Sequence, residues 1–500
     1  MPKNDKAQQA LNVYRASLES AVGYSDVYEF SLTPLDHVGL PLWSVALIPP
    51  DGALSDGFGY GPTLTAAQAS AWGETVEWYW AREALRTIPR RQGSIRELQH
   101  DGLPVLDPLT LCVDAGKPYS PDLSLLWVEA RRYPGHDPVW VPIEAVAPRY
   151  ADIGAGVQQT DFLFTPITNG LGAGPTFEHA LAHGIMEQLQ RDGNSVNYRA
   201  LDQGVVVELD DVRDAETLAL LQQLDDAGID ITVKLAATDF GITNVYVVRA
   251  DRDIARAPHP ISLSACGEAA HPDRERALAK ALREFVSARA RKAFNHGPLD
   301  LARKVAPAGY LQAFGEPALR SEDPRALNEM RRWVSLDVQQ FYDLIHDPIF
   351  IERERVRFGD LPTVVPEAVE NPADLLDLLT ERLGREGLEV IYAPFTPPSA
   401  PAAVLKVIVP GLEVETMTYH RIGKRNLERL LARQSPIVGV GDAPSGTKRI
   451  LLPPKAEAEL GGAAWLDPQA VDRAMGNLYA LYREPGRHVI GILDKQGQHA

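Results

Sequence analysis

Two cysteines, Cys112 and Cys266, are all that 500 residues contain, so the chain has neither a disulfide framework nor a cysteine-built zinc site. An excess of basic residues is missing as well. Fifty Lys and Arg face 67 Asp and Glu, a formal charge of −17; phosphate-backbone binding draws on clustered cations, so no nucleic-acid partner is expected. A basic peptide or a magnesium-bound nucleotide stays compatible with this charge. No apolar run is long enough to span a bilayer, and the opening MPKNDKAQQ lacks the apolar core of a secretion signal. Repeats, coiled-coil heptads and low-complexity linkers are absent too. The expectation is a reduced, soluble, cytoplasmic protein without a membrane partner, large enough for one big core or two to three smaller ones.

What the chain does have is a pair of acidic helix stripes, each preceded by a glycine run. The first is Gly57, Gly59 and Gly61, then Ser70, Glu74 and Glu77. The second is Gly170, Gly172 and Gly174, then His179, His183, Glu187, Gln190 and Arg191. Spacings of i, i+4, i+7 and of i, i+4, i+8, i+11, i+12 each trace one helix face. An acidic stripe in apolar surroundings needs a cation, which reads as a metal and polyphosphate site. The glycine runs read as turns whose N–H groups approach an anion at a helix start. A third glycine segment, Gly441 to Lys448, nearly spells a P-loop, but its Thr and Lys stand in the wrong order and Ile450-Leu-Leu-Pro-Pro follows instead of a helix.

Periodicity predicts a helix over about 5–22, a strand or hairpin over 28–47, and a helix capped at Thr65 that ends before Pro89. Further strands are expected at 125–131, 139–141, 204–209, 229–235, 243–248, 389–392 and 403–408, and further helices after Thr176 and over 214–227, 272–294 and 368–385.

The ordered motifs resemble the YcaO family. Ser70-Ala-Trp-Gly-Glu74-Thr-Val-Glu77-Trp78 matches its Ser-x-x-x-Glu-x-x-Glu-Arg run, and Thr168-Asn-Gly-Leu-Gly-Ala-Gly174 with Glu187-Gln-Leu-Gln190-Arg191-Asp192 matches its second loop and helix. Leu32 to Asp36, Val141-Pro142, Ala270 to Asp273, Glu284, Arg289 and Val409 to Glu413 agree in order and spacing. The resemblance spans about four fifths of the chain. It implies an α+β, YcaO-like fold with mixed or antiparallel sheets packed by long helices around an ATP cleft. It also implies three segments: 1–55 as an entry helix and strands, 56–425 as the ATP-binding core, and 426–500 as a C-terminal extension. By the same resemblance Ser70, Glu74, Glu77, Glu187, Arg191 and Arg289 are nucleotide contacts, and Glu74, Glu77, Glu187 and Gln190 hold Mg2+. Thr168 and Asn169 lie in the matching loop.

The implied activity is ATP- and Mg2+-dependent phosphorylation of a peptide backbone amide oxygen, leading to a thioamide, azoline or amidine. The implied partners are a precursor or protein peptide, a TfuA-like or leader-peptide-binding protein, and a second copy in a homodimer; no catalytic side chain is assigned. Azoline-forming members end in a proline-rich tail, and this chain ends Leu493 to Ala500 without proline, favouring the thioamide branch. Four positions depart from the pattern: Trp78, His179, Gln190 and Ser287. They keep open a catalytically degenerate relative that binds peptide as a scaffold. A third reading makes His179, His183 and Glu187 a transition-metal triplet, although His183 is read first as a packing residue.

Overall fold

In a computed structural model, the structure describes residues 3–19, 25–50, 52, 54–154, 162–313, 323–414 and 420–497. The end of the expected N-terminal helix, residues 20–22, and the last three residues of the tail lie outside them. The chain forms two compact units of interleaved segments: residues 1–76, 197–364 and 475–500, and residues 77–196 and 365–474. The segments expected from the sequence follow chain order instead. No helix among the described residues is long and apolar enough to cross a membrane.

In the first unit the expected hairpin forms an antiparallel sheet of Asp26–Ser31, Leu42–Ile48 and Ser55–Tyr60. A second sheet runs in the order Gly267–His271, Thr243–Val248, Thr232–Ala237, Val205–Glu208 and Glu354–Arg357; its last pair is parallel. The helix Arg274–His296 packs on the first of these strands. The Asp273 side chain starts it by accepting the Glu275 N–H at 3.0 Å, which satisfies one donor left open in the first turn. Its apolar stripe of Ala277, Leu278, Ala281, Leu282 and Phe285 enters a core with Phe30, Val245 and Phe358, the helix-period burial that stabilises such an element.

The second unit is built on a sheet ordered Arg90–Gly93, Leu125–Tyr133, Val390–Pro394, Ala403–Ile408 and Leu171–Gly174, with Pro138–Pro142 paired to Leu125–Tyr133. All these pairs are antiparallel. The helix Phe177–Asn194 packs on Leu171–Gly174 and Ala403–Ile408 and on the helix Pro372–Arg385. Thr176 caps it through the His179 N–H at 3.2 Å, as its sequence predicts. The helix Leu64–Thr87 starts earlier than expected: Thr63, not Thr65, accepts an N–H of the first turn, from Ala66 at 3.2 Å. Gly441 to Lys448 leads into the strand Lys448–Ile450, so no helix N-terminus is presented to a phosphate there.

Glu144, 2 % exposed in the second unit, accepts the Leu163 N–H at 3.1 Å, and burial pushes its carboxyl up from 4.5 to about 7. The folded state therefore holds this proton more tightly than the unfolded chain. The stabilisation is complete below pH 4.5 and is lost as pH rises towards 7. Glu144→Gln should remove about 3 kcal/mol of this pH dependence, as measured by urea unfolding at pH 5 and pH 8; an unchanged difference between the two pH values would contradict it.

Candidate functional site

The two glycine runs are mostly strand, and Gly170 alone keeps a turn conformation, at φ +83°. Gly57 and Gly59 belong to Ser55–Tyr60, and Gly172 and Gly174 to Leu171–Gly174. Each strand lies against the backbone of the helix that follows it. A Cβ at Gly59 would stand 1.9 Å from the Ala67 carbonyl oxygen, and one at Gly172 would stand 2.3 Å from that of Ala180. Only glycine admits so close an approach.

The approach brings backbone N–H groups to the acidic stripes. In the first unit Glu74 accepts the Phe58 N–H at 2.7 Å. In the second unit Glu77 accepts the Ala173 N–H at 2.9 Å, and Glu187 accepts the Gly170 N–H at 2.9 Å. A carboxylate has about four acceptor positions, so one such bond orients it and leaves capacity for a cation.

Around Glu74 the first unit gathers charge. Arg487 pairs with Asp56 and lies 4.2 Å from the centre of the Phe58 ring. The Arg291 guanidinium is 5.9 Å from the same ring, and the Tyr60 hydroxyl donates to Glu284 at 2.9 Å. Burial pushes the Glu74 carboxyl up to about 7, with Asp56 adding to the shift and the Phe58 bond, Arg291 and Arg487 opposing it. Ser70, one turn earlier on the helix, is exposed.

In the second unit Glu77 and Glu187 come with three cations or potential cations. His183 Nε2 lies 3.9 Å from Glu77, and Arg191 lies 3.5 Å from Glu187. Lys406, 2 % exposed, donates to the Ile167 carbonyl at 2.5 Å. Burial lowers its ammonium to about 7, against the pull of the Glu187 charge. Gln188 clamps the loop by donating to the Asn169 and Val407 carbonyls at 3.1 and 2.9 Å. Asn169 and Gln190 are both buried.

Several expectations change. His183 does not pack in a core, because its side chain is 43 % exposed. Among the described residues no three His, Cys, Asp or Glu side chains are gathered for a metal, so neither the His179, His183 and Glu187 triplet nor the expected set of Glu74, Glu77 and Glu187 is a preformed three-ligand group. Two oriented carboxylates instead suit Mg2+, which takes one or two protein carboxylates and completes its octahedron with phosphates and water. Arg289, expected to contact nucleotide, is fully enclosed. It donates to Asp36 at 2.8 Å, to Asp251 at 2.9 Å and to the Leu263 carbonyl at 2.8 Å. Trp78, where an arginine was expected, carries the Arg149 guanidinium 4.6 Å from its ring centre. Ser287 is buried in the helix Arg274–His296.

Lys406 and Arg291 were not singled out as site residues from the sequence. A signal for Lys406 existed: it interrupts the otherwise apolar strand Ala403–Ile408, where a lysine needs a polar reason to be buried.

A family model described as YcaO cyclodehydratase, ATP- and Mg2+-binding, matches residues 58–413. An uncharacterised protein of Methanothermobacter thermautotrophicus is 28 % identical over 428 residues, 85 % of this chain and 98 % of its own length. A Rhizobium leguminosarum bv. trifolii protein, uncharacterised and encoded in the tfuA 3′ region, is 25 % identical over 54 % of this chain and 59 % of its own. Among solved structures, a heterocyclase in complex with substrate and cofactor matches 84 % of this chain with a TM-score of 0.59 at 16 % identity; the match spans 55 % of the heterocyclase chain. The YcaO protein of Methanopyrus kandleri bound with AMPPCP and Mg2+ matches 83 % of this chain and 94 % of its own, with a TM-score of 0.55 at 22 % identity. These likenesses establish the fold.

Removing Arg289 leaves Asp36 buried without its cation and Asp251 with only His37 Nε2, at 2.9 Å. Arg289→Ala should therefore cost about 3–5 kcal/mol of stability, read by chemical unfolding, whereas a nucleotide-contact role alone would leave the unfolding midpoint in place and weaken only ATP binding.

Proposed function

The chain belongs to the YcaO family, and from that premise we propose that it uses ATP and Mg2+ to activate a backbone amide of a peptide, with thioamide formation as the favoured outcome. The observation that carries the proposal is the set of three carboxylates, Glu74, Glu77 and Glu187, each oriented by an N–H of a glycine strand or its adjoining residue.

When bound, magnesium and ATP supply an electrophilic terminal phosphoryl group whose transfer turns the oxygen of the tetrahedral amide adduct into a phosphate leaving group. The protein's own share is positioning and charge. Glu77 and Glu187 would hold the metal, and their backbone bonds keep the carboxylates from rotating away. Arg191 and Lys406 offset the charge at Glu187, and Arg191 would neutralise phosphate oxygens. Glu74 would play the corresponding part in the first unit, where the charges of Arg291 and Arg487 act on it. No side chain is needed as covalent nucleophile; the nucleophile is a sulfide source for a thioamide, a Cys or Ser side chain of the peptide for an azoline, or an amine for an amidine. The relative encoded in a tfuA 3′ region supports a TfuA-like partner and, with it, the thioamide branch.

The rival reading, a peptide-binding relative without turnover, draws on Gln190 and His179, which replace two acids of the family pattern. Calorimetric titration separates the two. Glu187→Ala should weaken ATP binding in the presence of Mg2+ by about thirtyfold or more, about 2 kcal/mol, with the fold intact; unchanged affinity would make Glu187 structural only. The double change His179→Glu and Gln190→Glu should tighten binding by adding charged oxygen ligands. No nucleotide binding by wild type or double variant, with Mg2+, Mn2+ or Zn2+, would favour the rival.

A further inference from the structure

The first unit contains a cavity of about 70 Å³ beside the residues that surround Glu74. Part of its lining is apolar, from Trp333, Phe341, Ile345 and Ile349; the rest is charged and includes Arg291 and Lys292 of the helix Arg274–His296. Lys292 is 6 % exposed. Neither its ammonium nor the Arg291 guanidinium makes a hydrogen bond or a close ion pair among the described residues; their charges reach Glu484 and other neighbours only at longer range.

The carboxylates nearby do not fill that role. Glu284 accepts the Tyr60 hydroxyl at 2.9 Å, Glu484 lies 3.5 Å from His296 Nε2, and Asp202 is paired with Lys234. Glu268 also lines the cavity and is buried. The cavity is partly open, and the Glu484 side chain in its lining is 30 % exposed. A buried cation without a direct partner is costly, and a ligand anion within reach of both Lys292 and Arg291 would remove the cost. The apolar lining selects what that anion is attached to.

We propose that this cavity is a subsite for a carboxylate carried on a short apolar chain and, resting on the peptide-modifying reading above, that the carboxylate is the carboxyl terminus of the peptide substrate. Calorimetry on the full chain tests this with N-acetylleucine, N-acetylleucinamide, isovalerate and inorganic phosphate as probes. N-acetylleucine should bind about tenfold or more tightly than its amide, and also more tightly than isovalerate or phosphate. Lys292→Gln should abolish the preference for acid over amide, and Lys292→Arg should keep it.

Equal binding of acid and amide by wild type would overturn the subsite, whatever the variants do. Isovalerate binding as well as N-acetylleucine would overturn the peptide assignment in favour of a free short-chain acid, and phosphate binding as well would overturn the role of the apolar lining. ATP titration of the wild type, run in parallel, keeps the two ideas apart. ATP bound without acid discrimination sinks the subsite alone, and acid discrimination without ATP binding sinks the nucleotide reading alone.

Discussion

The hydrogen bond from a glycine-strand backbone to a helix carboxylate is the constraint on which the rest depends. It occurs at Glu74 and Glu77, and at Glu187 the donor is Gly170, the turn residue just before the strand Leu171–Gly174. Each instance needs a strand that lies against the helix backbone more closely than any side chain permits, as the contacts at Gly59 and Gly172 show. Glycine, usually unfavourable inside a strand, is here required by packing, and packing aims the acid. An oriented carboxylate loses little entropy when it binds a metal, so orientation serves affinity as well as geometry.

The remaining family motifs divide into those that build the units and those that face the candidate site. Asp36 is held by Arg289, which joins the segment Leu32–Asp36 to the helix Arg274–His296. Glu413, fully buried, accepts the Gly423 and Asn426 N–H groups at 2.8 and 2.9 Å and so starts the helix Lys424–Ala432. Asp192, next to Arg191, accepts the Glu413 N–H and pairs with Arg425 and Arg429 at 2.9 Å. These groups are ionisable yet enclosed and bonded to backbone N–H groups or to one another, so their work is to fix the backbone. Arg191, Glu187 and Lys406 then sit on elements that cannot drift.

Much of this was legible in the sequence because periodicity and capping act locally. The two acidic helices, the hairpin, the cap at Thr176 and the long helix before Phe294 follow from spacing, and the ordered motifs led to the family. Three things were not legible, for physical reasons. A Gly-x-Gly-x-Gly run reads as a turn until the helix pressed against it is known, since close approach is a tertiary fact. Arg289 and Arg291 are both arginines on one helix, and only the fold shows that the first turns to Asp36 and Asp251 while the second stands by Glu74. The two units interleave along the chain, which no local composition shift records.

The central claim is that carboxylates aimed by glycine strands hold the metal of a bound nucleotide. Crystals grown with AMPPCP and Mn2+ test it most directly, through the anomalous signal of the manganese. The account predicts a peak bonded to the carboxylate oxygens of Glu77 and Glu187, with nucleotide phosphate on the same ion. A nucleotide bound elsewhere, or manganese absent from both carboxylates, would contradict it.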